Sequence, residues 1–166
     1  GECRGRVAFF SRQTAVACGS FVDNGALMLR LNEPSEPVCA RSELRLRGEH
    51  NLENALAAAL IARLAGGSLE GIAKVCRTFG GVEHRLEYVT TIRGAEYYDD
   101  SIATTPERAI AAIRSFAEPI ILLAGGRDKH LPWEEMADLA VQRVRHLVLF
   151  GEAAGLIGSA IDGAQN

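Results

Sequence analysis

Two short apolar runs, Ile120 to Ala124 and His146 to Phe150, with a helical stretch over Trp133 to Val141 between them, constrain this 166-residue chain more than any other feature. Unbroken apolar runs of this length, bounded by polar turns, read as buried strands. Joined through a helix, the two strands are expected to lie parallel, because the crossover returns the chain to the same end of the sheet. Pro106 to Phe116 reads as a helix starting at Thr105-Pro106, and a further helix begins near Ala153. Leu86 to Ile92 and Ala95 to Tyr98 read as a hairpin turning at Arg93-Gly94. The fold class expected here is α/β, a mostly parallel sheet with helices on both faces.

Upstream of Phe79-Gly80-Gly81 the pattern differs, which places a boundary there and divides the chain into 1–81 and 82–166. Arg6 to Phe10, Gly19 to Asp23 and Ala26 to Leu31 read as a small meander, the last two strands joined at Asn24-Gly25. Pro34 and Pro37 break the strand pattern, and Leu44 and Leu46 alternate with charged residues as a last strand before Gly48. Leu52 to Ala65 is the strongest helix, stopping at Gly66-Gly67, where glycine tolerates positive φ. Apolar on nearly every side, it is expected to be sandwiched between layers. Ser68 caps a second helix over Leu69 to Thr78, with Ile72, Val75 and Cys76 on one face.

With 48% hydrophobic and 23% charged residues and only 5 prolines, long disorder is excluded. The longest apolar run, Ala55 to Ala62, is far short of the roughly 20 residues a membrane span needs, so no membrane partner is expected. The 47 N-terminal residues carry 7 Arg against 5 acids, and the rest of the chain 11 basic against 16 acidic residues. No basic stripe results, which argues against a nucleic-acid partner. Cys3, Cys18, Cys39 and Cys76 are too far apart for a CxxC pair, the pattern of free thiols in a reducing, cytoplasmic setting. The chain opens Gly1-Glu2-Cys3 without Met or a secretory pattern and reads as a piece of a longer protein.

Open α/β sheets hold ligands in the loops at the carboxyl ends of their strands. Those loops carry Asp99-Asp100-Ser101, Gly125-Gly126-Arg127-Asp128-Lys129 and Gly151-Glu152. Each alone is an ordinary polar turn; three together point to a site, and Gly125-Gly126 would let a strand end approach a ligand. Asn51 and Asn54 set two carboxamides on one face of a helix start. A carboxamide offers the donor and acceptor that a purine edge asks for; the same spacing also serves helix capping by Asn51 with Asn54 merely exposed. Arg85, after the glycine pair, has the forked donors that suit a phosphate, or else it pairs with Glu83 or Glu87. His84 reads as a locally satisfied histidine, with no Ser or Cys nearby to suggest a triad. No G-x-x-x-x-G-K-[ST] occurs, so the chain holds no complete P-loop enzyme.

Four stretches in order, Gly48-Glu-His-Asn-Leu-Glu-Asn54, Phe79-Gly-Gly-Val-Glu-His-Arg-Leu-Glu87, Tyr98-Asp-Asp-Ser-Ile-Ala-Thr-Thr-Pro106 and Leu123-Ala-Gly-Gly-Arg-Asp-Lys129, resemble the Mur ligases of peptidoglycan synthesis. The branch resembled most is the one that adds D-glutamate to UDP-N-acetylmuramoyl-L-alanine. The resemblance implies that 1–81 is the later half of a central ATPase domain lacking its P-loop. It implies that 82–166 is a truncated, Rossmann-like C-terminal domain. The longer protein would be a cytoplasmic, monomeric enzyme using ATP and Mg²⁺, with the metal ligands outside this chain, which alone should be inactive.

By the same resemblance Asn51 and Asn54 contact adenine, Arg85 faces the phosphates of ATP and Asp100 holds the ribose. Lys129 grips a carboxylate of D-glutamate with Thr104 near it, and His50 is a further active-site candidate. Many family members carry Lys where this chain has Ile102, which removes one charge from the expected cleft. Two alternatives share these features: a folylpolyglutamate-type ligase of the same superfamily, and a non-catalytic nucleotide- or amino-acid-binding module.

Overall fold

In the computed structural model, which describes residues 5, 7–127 and 129–165, the chain divides into two units, Gly1–Gly81 and Val82–Asn166. Arg6 and Cys3 lie outside the described residues, as does Asp128.

The first unit is built on a four-stranded sheet in the order β1 (Phe9–Ser11), β2 (Gly19–Asp23), β3 (Ala26–Arg30), β4 (Glu36–Ala40). Strands β2 and β3 pair antiparallel about Asn24-Gly25, both in the left-handed region, as that dipeptide predicts. The meander fails at β1, which runs parallel to β2. The Ser11 hydroxyl accepts the N–H groups of Gln13 and Thr14, turning the chain out of β1 so that it re-enters from the same end. Pro37 does not end the strand pattern: it lies in β4, an edge strand, beside the register shift opposite Leu27 and Met28, where a missing N–H is tolerated.

The strand expected at Leu44 and Leu46 is absent. Glu43 accepts the Ala40 N–H at 2.7 Å and the Leu44 N–H bonds the Arg41 carbonyl, winding Arg41–Glu43 into a 3₁₀ turn instead. Helix α1 (Glu49–Leu64) starts earlier than Leu52, so both asparagines sit inside it. Its Leu52, Leu56, Ala59 and Leu60 meet Leu27, Leu29 and Val38 of the sheet and Ile72 and Ala73 of α2 (Leu69–Thr78). Its other side is not covered within this unit: Ile61 is 67% and Leu64 51% exposed. The end of α1 is as the glycines predict, with Gly66 at φ 90° and Gly67 N–H bonding the Ala62 carbonyl at 2.8 Å. Ser68 caps α2 by accepting the Gly71 N–H at 3.1 Å, whereas Val75 faces outward at 59% exposure.

The second unit opens with the hairpin β5 (Glu87–Ile92) and β6 (Ala95–Asp99), turning at Arg93-Gly94. Then come α3 (Pro106–Arg114), β7 (Ile120–Gly126), α4 (Glu134–Arg143), β8 (Val144–Gly151) and α5 (Ala154–Ala164). Strands β7 and β8 are parallel and joined through α4, the expected crossover. Ile110, Ile113, Met136, Ala140 and Ile157 of the helices pack on Ile120, Leu122, Ala124 and Leu149. The alternate positions Ile121 and Leu123 are 62% and 65% exposed, and Val148 and Phe150 are exposed with them. The fold is therefore α/β with a parallel pair, and within this unit the helical layer covers one face of that pair. A solid apolar run hides this period-2 difference from sequence reading. Gly125 has a structural reason of its own: a Cβ there would stand 1.9 Å from the Phe150 carbonyl oxygen.

Candidate functional site

A dense polar constellation lies in the second unit, where the turn before β5 meets the loop after β6. Both peptide bonds flanking Arg85 are tied to that loop. The His84 carbonyl accepts the Ile102 N–H at 3.2 Å, and the Leu86 N–H donates to Asp100 Oδ1 at 3.0 Å. The Arg85 N–H itself bonds the Val82 carbonyl at 3.1 Å. On either side of Arg85 the backbone is left-handed, at φ 63° for His84 and 44° for Leu86. For a bulky residue such as Leu86 that is an uncommon conformation, which persists only where surrounding bonds enforce it.

Side chains reinforce the stitching. His84 Nδ1 donates to Asp99 Oδ2 at 2.7 Å, Glu87 accepts the His84 N–H at 2.8 Å, and Asp99 Oδ1 accepts the Ser101 N–H at 2.8 Å. The hydrogen bond from His84, and then that from Ser101, hold the Asp99 carboxyl down to about 2. In return the Asp99 carboxylate, by hydrogen bond first and charge second, raises His84 above the ordinary histidine value. His84, Glu87 and Asp99 bring ligand atoms within 4.8 Å of one another; the bonds just given account for that proximity.

The half-buried guanidinium of Arg85 enters none of the ion pairs of the described residues, so the expected alternative of pairing with Glu83 or Glu87 is not realised. A forked cation and a carboxylate thus sit on two segments bonded to each other. A cation and a carboxylate on joined segments suit a ligand that carries both anionic and hydroxyl groups. Thr104 is exposed two residues before α3. Lys129 is exposed in the connection from β7 to α4, beyond the carboxyl end of β7.

The other candidates belong to the first unit. His50 is half-buried in the first turn of α1. Asn51 is only 6% exposed; its Nδ2 donates to the Arg47 carbonyl at 2.7 Å, and its Oδ1 accepts from Asn54 Nδ2 at 3.4 Å. Asn54 is exposed. Asn51 thus anchors the segment entering α1 and orients Asn54. Arg12 braces the same turn, 3.2 Å from Glu49 and 2.7 Å from Glu53, and Arg41 also pairs with Glu49. Sequence reading names Asp99 only as part of a polar loop and passes over Arg12; the hairpin turn at Arg93-Gly94 brings β5 and β6 together, but the pairing of Asp99 with Glu87 depends on a register shift.

Comparison with known proteins bears on both units. Residues 84–165 match the family described as Mur ligase, glutamate ligase domain. The UDP-N-acetylmuramoylalanine--D-glutamate ligase of Clostridium novyi (strain NT) is 44% identical over 164 residues, covering 98% of this chain and 34% of that protein. The enzyme of the same name from Pelotomaculum thermopropionicum is 43% identical over 157 residues, covering 95% of this chain and 34% of that protein. The chain spans about a third of the length of these curated relatives. Among solved structures, UDP-N-acetylmuramoylalanyl-D-glutamyl-2,6-diaminopimelate--D-alanyl-D-alanyl ligase from Acinetobacter baumannii superposes with TM-score 0.67 at 25% identity, covering 89% of this chain and 34% of its own. The UDP-N-acetylmuramate-alanine ligase of Thermotoga maritima shares the fold, with TM-score 0.63 at 16% identity over 93% of this chain and 36% of its own.

Proposed function

The chain belongs to the Mur ligase family, and from that premise we propose that it is part of an ATP-dependent ligase joining D-glutamate to UDP-N-acetylmuramoyl-L-alanine in peptidoglycan synthesis. The observation that carries this reading is the 44% identity to a D-glutamate ligase over nearly the whole chain, since a shared fold alone would not select the substrate.

The residues fit a nucleotide. Arg85 faces the phosphates of ATP, and Asp100, already bonded to the Leu86 N–H, turns toward the ribose. Asn54 reads the adenine edge while buried Asn51 orients it, and His50 lies beside them in sequence. Lys129 and Thr104 hold the D-glutamate side of the reaction, Lys129 as the cation for a carboxylate. ATP supplies the phosphoryl group that makes a carboxylate reactive toward an amine; the ligands for Mg²⁺ lie outside this chain. Units 1–81 and 82–166 correspond to the end of the central domain and most of the C-terminal domain. No helix among the described residues is long and apolar enough to cross a membrane; the proposal takes the longer protein to be cytoplasmic and monomeric.

The test is ADP release by the full-length protein. Release that requires both UDP-N-acetylmuramoyl-L-alanine and D-glutamate is the expected result. Turnover with a folate and L-glutamate instead, or turnover indifferent to D-glutamate, refutes the reading.

A further inference from the structure

We infer that His84 is a positioning residue: clipped to Asp99, it fixes the turn that carries Arg85 against the loop that carries Asp100, so that the two nucleotide-facing side chains act as one preformed unit. The inference rests on the proposed nucleotide role of Arg85 and Asp100.

Five bonds join the two segments or brace the turn, one of them from the Arg85 N–H to the Val82 carbonyl. Two more are backbone-anchored, from Ile102 N–H to the His84 carbonyl and from Leu86 N–H to Asp100 Oδ1. The other two involve His84 directly, through its ring to Asp99 and its N–H to Glu87. Removing the ring leaves two left-handed residues around Arg85 with fewer bonds to hold them. Arg85 then samples other directions, and nucleotide binding must restore the lost order. Three carboxylates face the ring, Asp99 from β6, Glu87 from β5 and Glu83 from the turn itself, so the clip is tightest with the imidazole protonated. A neutral ring still donates through Nδ1 but loses the charge component.

The experiment uses the full-length protein and measures the ATP dissociation constant, the KM values for ATP and D-glutamate, and amide exchange at Leu86 and Ile102. H84A and D99N are expected to weaken ATP about tenfold, the effect of losing one charge-assisted hydrogen bond, and to speed exchange at both amides while the D-glutamate KM stays put. H84N, whose amide can donate from nearly the same place without charge, should recover most of the affinity. It should also abolish the decline in ATP affinity that is expected of the wild type as pH rises past the histidine range. Unchanged ATP affinity and amide exchange in H84A and D99N overturn the inference. So does equal damage in H84A and H84N together with a loss of D-glutamate affinity, which would mark a general folding role. If ATP binds but D-glutamate-dependent turnover is missing, the ligase reading fails while the ATP constants still decide the role of His84.

Discussion

His84 and Asp99 form an ion pair at 2.7 Å between the turn before β5 and the last residue of β6, and it predicts how this unit responds to pH. The pair raises His84 and lowers Asp99 to about 2. The histidine contribution is complete below its unfolded value of about 6.5 and is lost as pH rises through the higher folded value. The aspartate contribution is complete above its unfolded value of about 3.9 and is lost as pH falls toward 2. Stabilisation by the pair should therefore be greatest between about pH 4 and 6.5. Urea midpoints across pH 3 to 9 should show D99N losing most in that window; a constant difference between D99N and wild type across the range would refute it.

Gly125 should tolerate no side chain. A Cβ would stand 1.9 Å from the Phe150 carbonyl oxygen, and backbone in a paired strand cannot yield without breaking the β7–β8 ladder. Gly125→Ala is expected to destabilise by about 3 kcal/mol. Gly158→Ala is the control: it lies within α5, where the added methyl would make ordinary contact with Leu149 Cδ1 at 3.6 Å, and should stabilise by about 0.5–1 kcal/mol. Equal unfolding midpoints for the two variants would show that the strands separate at little cost.

The two asparagines of α1 should part company. Asn51→Ala removes a buried amide and its bond to the Arg47 carbonyl, a loss of about 1–3 kcal/mol. Asn54→Leu, on an exposed position, should change stability by less than about 0.5 kcal/mol while weakening ATP in the full-length protein. Thermal unfolding and nucleotide titration on both variants separate the roles. An Asn54→Leu protein that binds ATP as wild type does would return Asn54 to a purely local one.

What the sequence made legible were the features written in short-range chemistry. The Asn24-Gly25 and Arg93-Gly94 turns, the Ser68 cap, the Gly66-Gly67 helix end and the parallel crossover all follow from residues within a few positions. What stayed hidden depended on long-range register. Counting back from Arg93-Gly94 pairs Tyr88 with Asp99, but the register shift between Tyr88 and Thr90 makes Glu87 its partner, bringing Asp99 to the His84 turn. The parallel β1 and the 3₁₀ turn at Arg41–Glu43 likewise arise from specific side-chain bonds, those of Ser11 and Glu43, which periodicity does not encode. The resemblance sets Arg85 and Asp100 on one expected ligand, whereas the bonds that join their two segments are visible only in the structure.

Cys39 should be inert in the native state. Burial first, and then neighbouring Cys76, push its thiol up to about 11, and the residue is only 5% exposed. Its thiolate is then scarce at pH 7, and the thiolate is the nucleophile. Iodoacetamide labelling followed by mass spectrometry should leave Cys39 unmodified until denaturant is added. Rapid labelling of the folded protein would show that β4 opens readily.

Lys129 tests the proposed amino-acid side of the site independently of the proposed nucleotide side. It is exposed beyond the end of β7 and makes no ion pair among the described residues, so its replacement removes a cation without orphaning a partner. Lys129→Ala should leave stability within about 0.5 kcal/mol of wild type. If it meets a D-glutamate carboxylate, losing a charged hydrogen bond of about 1.5–3 kcal/mol raises the D-glutamate KM by tenfold or more. The ATP KM should move little, because Arg85 and Asp100 are untouched. Lys129→Arg keeps the charge but not the compact ammonium, and should restore only part of the affinity. A D-glutamate KM unchanged in Lys129→Ala would remove Lys129 from the site and leave the β7–α4 connection without a substrate role.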